Sequence, residues 1–243
     1  MKQSINDSAQ QKLTLQLKGR FIVIEGTDGS GKGTQIQLLA EKLKSFGIPV
    51  KVVDFPRYEE NIYGRLVGRY LKGEFGGIEN VSPYLASLTY AGDRMLAKDL
   101  MWDWLNKGGL IIANRYVISN KIFMSARLPV EERQRYLDWE DELEYKTNGI
   151  PKEELVIFLH VSSKLSQKNL KGKGARSYMG GNKKDIHEKD IKYQEAVRQV
   201  YLQFAQTEPD WAFIECTENN EMKTREEIHA EILKVLIERG ILR

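Results

Sequence analysis

Residues 24–35 read IEGTDGSGKGTQ and hold Gly26, Gly31 and Lys32 in the spacing G-x-x-x-x-G-K. The chemistry open to such a run is phosphate binding. Successive backbone N–H groups and the positive end of a following helix surround an anion. Glycine lets the backbone come close and take positive φ, and Lys32 adds a point charge for the outer phosphates. The bare pattern arises by chance in roughly one chain of this length in ten, and a flexible glycine-rich turn is the alternative. The setting favours phosphate, because an apolar strand ends at Glu25 and an amphipathic helix opens at about Lys32. The reading is a nucleoside triphosphate site made of Gly26, Thr27, Asp28, Gly29, Ser30, Gly31, Lys32, Gly33 and Thr34. Gly33 stands where a hydroxyl usually meets Mg²⁺, so Thr34, or the ATP oxygens and water alone, must hold the ion.

The elements that position this loop are legible as periodicities. FIVIE (21–25), VKVVDF (50–55), LIIANRY (110–116), ELVIFLHV (154–161) and WAFIEC (211–216) are short runs rich in β-branched and aromatic residues. Continuous apolar runs of this kind suit strands covered on both faces, as in a parallel sheet. Between them, Ile36, Leu39, Leu43 and Phe46 share one helical face that ends at Gly47. The longest helical stretch is opened by Ser82, with Pro83 first in the helix, and closed by Gly108. Others run from about Glu188 to Ala205 and from about Arg225 to Arg239. Alternating strands and helices predict a doubly wound α/β sheet with right-handed crossovers, as one domain over 21–243.

Bulk properties narrow the class. The chain has 243 residues and a net charge of +3, too small for whole-protein attraction to nucleic acid or anionic membrane. One cysteine, Cys216, makes no internal disulfide or metal spacing and fits a reducing, cytoplasmic setting. No apolar run reaches membrane-span length. Residues 1–20 read as a polar leader without the apolar centre of a signal peptide. Lys164–Lys184 is basic and glycine-rich, either a solvated connection or a functional lid. It lacks interleaved aromatics beyond Tyr178, against single-stranded nucleic acid. Trp102 and Trp104 could serve core or interface. His160, His187 and His229 read as structural, since no metal or nucleophile constellation includes them.

GTDGSGKGTQ resembles the P-loop of nucleoside monophosphate kinases, and further motifs in order narrow this to a resemblance to thymidylate kinases over about residues 20–240. DFPRYEENIYGR resembles the family's second-strand motif, where an arginine grips the monophosphate, here Arg57; Arg65 and Arg69 follow as surface residues. SLTYAGDRMLA resembles the helix facing the base, with Tyr90 stacking and Arg94 hydrogen-bonding it. NRYVISNKIF resembles the third-strand motif. It implies Arg115 between the acceptor phosphate and the transferring group, Ser119 and Asn120 at the N3 edge, and Phe123 against the sugar. The resemblance also implies that Asp28 faces the substrate's sugar and phosphate, the alternative being a capping or turn role. QKNLKGKGAR resembles the lid, with Arg176 as the donated cation and Lys171 or Lys173 as substitutes, and Glu188 and Arg198 steadying it. Asn114 departs from the family's usual Asp and brings no negative charge toward the metal. Either phosphates and water hold Mg²⁺, or catalysis is weaker than the family norm.

The resemblance implies a P-loop kinase fold, a five-stranded parallel sheet flanked by helices on both faces, with a mobile lid over about 164–187. The implied reaction transfers the γ-phosphoryl group of ATP to dTMP, with Lys32, Arg115 and Arg176 catalytic, Mg²⁺ as cofactor and a homodimer as the assembly. The competing readings are a kinase for another monophosphate or a deoxynucleoside, and a degenerate nucleotide-binding protein.

Overall fold

The computed structural model describes residues 19–162, 165, 166, 168, 169 and 186–242. Residues 1–18 of the leader expected over 1–20, and the lid residues Lys171, Lys173 and Arg176, lie outside the described residues, while Arg20 of that leader already belongs to the first strand.

The five apolar runs form strands β1 (Arg20–Glu25), β2 (Val50–Asp54), β3 (Leu110–Asn114), β4 (Leu155–His160) and β5 (Trp211–Glu215). They make one sheet in the order β2-β3-β1-β4-β5, every pairing parallel. Because side chains alternate along a strand, β1 sends Ile22 and Ile24 to one face and Phe21 and Val23 to the other, and all four are buried. On the first face they meet Ile36, Leu39 and Leu43 of α1 (Lys32–Ser45) and Ile228, Ile232 and Leu236 of α9 (Arg225–Glu238). On the second they meet Val117 and Ile122 of α5 (Val117–Ser125) and Val197 and Tyr201 of α8 (Ile191–Thr207). The carboxyl ends of β1, β2 and β3 therefore share one edge, where ligands of open α/β sheets gather.

A third cluster lies beyond that edge. It joins Val67, Tyr70 and Leu71 of α2 (Ile62–Lys72), Ala86 of α3 (Pro83–Met95) and Tyr136 of α6 (Val130–Asp141). A π-helical turn over Glu142–Thr147 continues α6. These helices form a wall facing the loop after β1.

Several local expectations need amendment. The long helix expected over 82–108 is two, α3 and α4 (Lys98–Asn106), bent at Leu96–Ala97 where Ala97 N–H bonds the Arg94 carbonyl. Pro83 stands at the first turn as expected, but Ser82 makes no side-chain cap bond. The helix expected from about Glu188 is a short α7 (Ile186–Lys189) followed by α8, which Asp190 caps through Tyr193 N–H at 3.0 Å. A small antiparallel pair, β6 (Thr217–Glu218) with β7 (Glu221–Met222), precedes α9; no periodicity announced it. No helix among the described residues is long and apolar enough to cross a membrane.

Candidate functional site

The loop after β1 wraps the start of α1. Gly26 and Gly31 take φ of 150° and 92°. At Gly26 a Cβ would also lie 2.7 Å from the Leu159 carbonyl and from Ser30 Oγ, so only glycine fits there. No side chain caps α1 and no acidic residue sits in its first turn, so its leading N–H groups and the positive end of its dipole are open to an anion. Lys32 spans the loop, its Nζ donating to the carbonyls of Gly26 at 2.9 Å and Thr27 at 3.1 Å. Two side chains from beyond β4 dock on the same loop. Ser166 Oγ donates to the Asp28 carbonyl, and Asn169 Nδ2 donates to the Gly29 carbonyl at 2.9 Å.

A cavity of about 400 Å³ opens in front of this loop. Asp28, Gly29, Gly31, Lys32 and Gly33 of the loop line it, together with Arg115, Ser119, Asn120, Phe123 and Tyr90. One pocket thus joins a triphosphate-type cradle to a second chamber with a cation, polar groups and aromatic rings. Asp54, Phe55, Pro56, Asn114 and His187 complete its walls.

Arg115 ties the loop to α5. It takes φ of 64°, a strained conformation for a non-glycine residue, of the kind that collects at functional sites. Its Nη2 donates to Asp28 Oδ1 at 2.9 Å and its Nη1 to Ser119 Oγ at 3.1 Å. Its guanidinium also sits 5.2 Å from the Phe123 ring centre. Burial opposes the charge of Arg115, but Asp28, Tyr201 and Glu25 outweigh it and hold the guanidinium firmly protonated.

Sequence reasoning missed Glu25, the residue behind this arrangement. It is fully buried and accepts from Ser119 Oγ at 2.8 Å, Tyr116 N–H at 3.2 Å and Tyr201 Oη at 2.7 Å. Its Oε2 also lies 3.7 Å from Arg115. The available signal was an acid closing a strand of purely apolar residues, since an ionised carboxylate is buried only when paired.

Arg57 and Arg94 do not line the cavity. Arg57 Nε donates to Asp93 Oδ1 at 2.9 Å. Arg94, 2 % exposed, donates through Nε to Glu144 Oε1 at 2.9 Å and lies 3.7 Å from Glu140 Oε1. One guanidinium thus serves two carboxylates in a dry setting. Burial first, and the Glu144 charge second, push the Glu140 carboxyl up to about 7. Arg69 makes the expected surface pair, 2.7 Å from Glu74, and Arg198 pairs with Glu195 at 2.6 Å. His160 bonds Glu215 at 2.7 Å. His187 lies 3.1 Å from Tyr70 Oη and stacks on Phe123, and burial followed by Arg127 lowers it to about 3. That neutral ring belongs to the wall as well as the core.

No group of three His, Cys, Asp or Glu among the described residues makes a metal cage. The residues do fit an Mg²⁺ ion held mostly by phosphate oxygens and water. Asp54 and Asn114 line the cavity with Asn114 Nδ2 donating to Asp54 Oδ1 at 2.7 Å, and Asn114 Oδ1 has no partner among the described residues. Thr34 is exposed at the mouth of α1 and is not part of the cavity wall.

Comparison with known proteins gives concordant results. The profile described as thymidylate kinase matches residues 24–228. A thymidylate kinase of Plasmodium falciparum is 30% identical over 217 residues, covering 89% of this chain and 89% of its own. One from Mycobacterium tuberculosis is 29% identical over 185 residues, covering 76% and 85%. The solved structure of a thymidylate kinase from Candida albicans superimposes with a TM-score of 0.69 at 24% identity, over 93% of this chain and 95% of that one, a likeness of fold.

Proposed function

This chain belongs to the thymidylate kinase family, and from that premise we propose how its residues divide the work. The reaction is transfer of the γ-phosphoryl group of ATP to dTMP, giving ADP and dTDP, a step of nucleotide biosynthesis. The observation that carries the assignment is one cavity lined both by Lys32 of the phosphate loop and by Arg115, Ser119, Asn120, Tyr90 and Phe123.

Both reactants are strongly anionic, so their meeting requires cations and alignment more than an acid or a base. The acceptor monophosphate is largely deprotonated near neutral pH, its second pKa being about 6. Gly26, Thr27, Asp28, Gly29, Ser30, Gly31, Gly33 and Thr34, with Lys32, form the cradle for the ATP phosphates, with the leading N–H groups of α1 turned to them. Arg115 meets both the acceptor phosphate and the transferring group, spreading charge as transfer proceeds. Glu25, Asp28 and Ser119 hold its fork in that position. Tyr90 and Phe123 flank base and sugar, and Ser119 and Asn120 meet the N3 edge of the base. Arg57 reaches the monophosphate by exchanging Asp93 for it, and Arg94 is assigned to the base, which it meets only by leaving Glu144. Arg176, outside the described residues, is the lid cation. Asp54, Asn114 and Thr34 are the groups that would hold Mg²⁺ through water, and the ion would supply charge neutralisation for the phosphates there.

A cytoplasmic setting is supported by Cys216, alone and buried, whose thiol burial and the Glu215 carboxylate push up to about 12. Such a thiol is inert. A homodimer is supported by exposed Leu85, Leu88, Leu96, Leu100 and Trp102 along α3 and α4, a patch of the kind that marks an interface.

The test is ADP release that depends on dTMP. Lys32→Ala and Arg115→Ala should each lower kcat on the order of 10²–10³-fold or more, the scale of removing a group that binds developing charge. Near-normal turnover in either variant removes that residue from the catalytic set.

A further inference from the structure

We propose that Glu140 is a positioning residue that fixes the direction of the Asn120 amide, and that through it the site selects a pyrimidine carrying an N–H at its N3 edge. The proposal rests on the dTMP kinase reading and adds to it a determinant of base selectivity.

Asn120 lines the cavity from α5 and is 2 % exposed. Its Nδ2 donates to Glu140 Oε1 at 2.9 Å and to the Ser87 carbonyl at 3.4 Å. Both neighbours are acceptors, so the amide is not free to turn over. Reversal would set Oδ1 against two oxygens and leave two buried donors without partners. With both N–H bonds committed, the group left on the opposite edge of the amide is Oδ1, which accepts no hydrogen bond among the described residues. The cavity wall therefore presents an acceptor at this point, not a donor.

Glu140 is itself locked. It is fully buried, four residues after Tyr136 on the same face of α6, and its Oε2 lies 3.1 Å from the Tyr136 hydroxyl. That hydroxyl also lies 2.6 Å from Ser87 Oγ and 3.3 Å from the Asn120 carbonyl. Ser87 on α3, Asn120 on α5 and the Tyr136–Glu140 pair on α6 thus form one closed polar knot in which the amide direction is the only part facing the ligand. A network satisfied everywhere except at that outward edge is rigid.

The selectivity follows from complementarity. A pyrimidine-2,4-dione offers N3–H to Oδ1. A 4-amino-2-oxopyrimidine offers a lone pair at N3, so two acceptors confront each other and neither is satisfied. A site built to bond one donor rejects the analogue lacking it strongly.

The cleanest comparison uses dTMP and 5-methyl-dCMP, which differ only at this edge of the base. For the full-length chain with ATP and Mg²⁺, the ratio of kcat/KM for the two is measured in wild type, Glu140→Met and Glu140→Gln. Met keeps the length and removes the acceptor, so the ratio should fall about tenfold or more. Gln keeps a carbonyl acceptor and should retain the wild-type ratio. A side chain needed only for folding would lower both kcat/KM values together and leave the ratio untouched. An unchanged ratio in a folded, active Glu140→Met overturns the proposal. If that variant does not fold, Tyr136→Phe, which releases Glu140 Oε2, decides: a ratio lowered a few-fold supports the lock, an unchanged one overturns it. A wild-type enzyme inactive on dTMP would overturn the kinase reading and this proposal with it. An active one with an indifferent Glu140 overturns this proposal alone.

Discussion

His187 shows how one buried side chain couples the site to pH. Its pKa is lowered from 6.5 to about 3 by burial and then by Arg127. At this position the unfolded state therefore binds more protons between these values, and the contribution of His187 to stability rises with pH from about 3 to 6.5 and is flat above. At pH 5.5 the loss relative to pH above 7 is about 1.4 kcal/mol. Urea unfolding at pH 5.5 and 7.5 should show a pH dependence that differs between wild type and His187→Gln by about this amount, because the raised Glu140 carboxyl acts with opposite sign but equally in both; the same pH dependence in the two proteins contradicts the assignment. At this scale the sequence is legible where chemistry is local. Gly26, Gly31 and Lys32 announce themselves by spacing. Glu25 does not, because its meaning depends on Tyr201, 176 residues away, closing a pair that only the fold creates. Glu140 is hidden for the same reason, since the sequence KTNGIP and its acidic lead-in look like a solvated surface helix.

Among the elements, the P-loop and α9 separate function from stability. Gly31→Ala meets open space but forces φ of 92° on a side chain, costing about 1–2 kcal/mol. Gly26→Ala adds contact with the Leu159 backbone, which cannot swing aside, so it should be the more damaging of the two for folding. Comparing the two unfolding midpoints checks the order. At the far end of the fold, Thr224 and Glu227 form a capping box on α9, with Glu227 N–H bonding Thr224 Oγ1 at 3.2 Å. Thr224→Ala should cost about 1 kcal/mol and leave kcat unchanged; a large fall in kcat would show that α9 acts on the site. Strand positions were legible because buried parallel strands are continuously apolar. The bend at Leu96–Ala97 was not, because no Gly or Pro marks it and packing of the two helices decides it.

For the whole molecule, the order β2-β3-β1-β4-β5 puts the cradle at the sheet's centre and the acceptor wall beside it. Alternating elements predicted that class of sheet; which helix faces supply the second chamber emerged only with tertiary packing. The exposed apolar row on α3 and α4 leads to an expectation for assembly. Leu88→Glu with Leu100→Glu should convert a dimer to a monomer in sedimentation velocity, with an unaltered circular dichroism spectrum. A wild type already monomeric at micromolar concentration refutes the dimer. The most direct measurement of the central claim is an acceptor panel with ATP and Mg²⁺, comparing ADP release with dTMP, dUMP, dCMP, dAMP, thymidine and no acceptor. Release should depend on the acceptor and be fastest with dTMP; ADP formed at the same rate without it, or faster with dAMP or thymidine, contradicts the account.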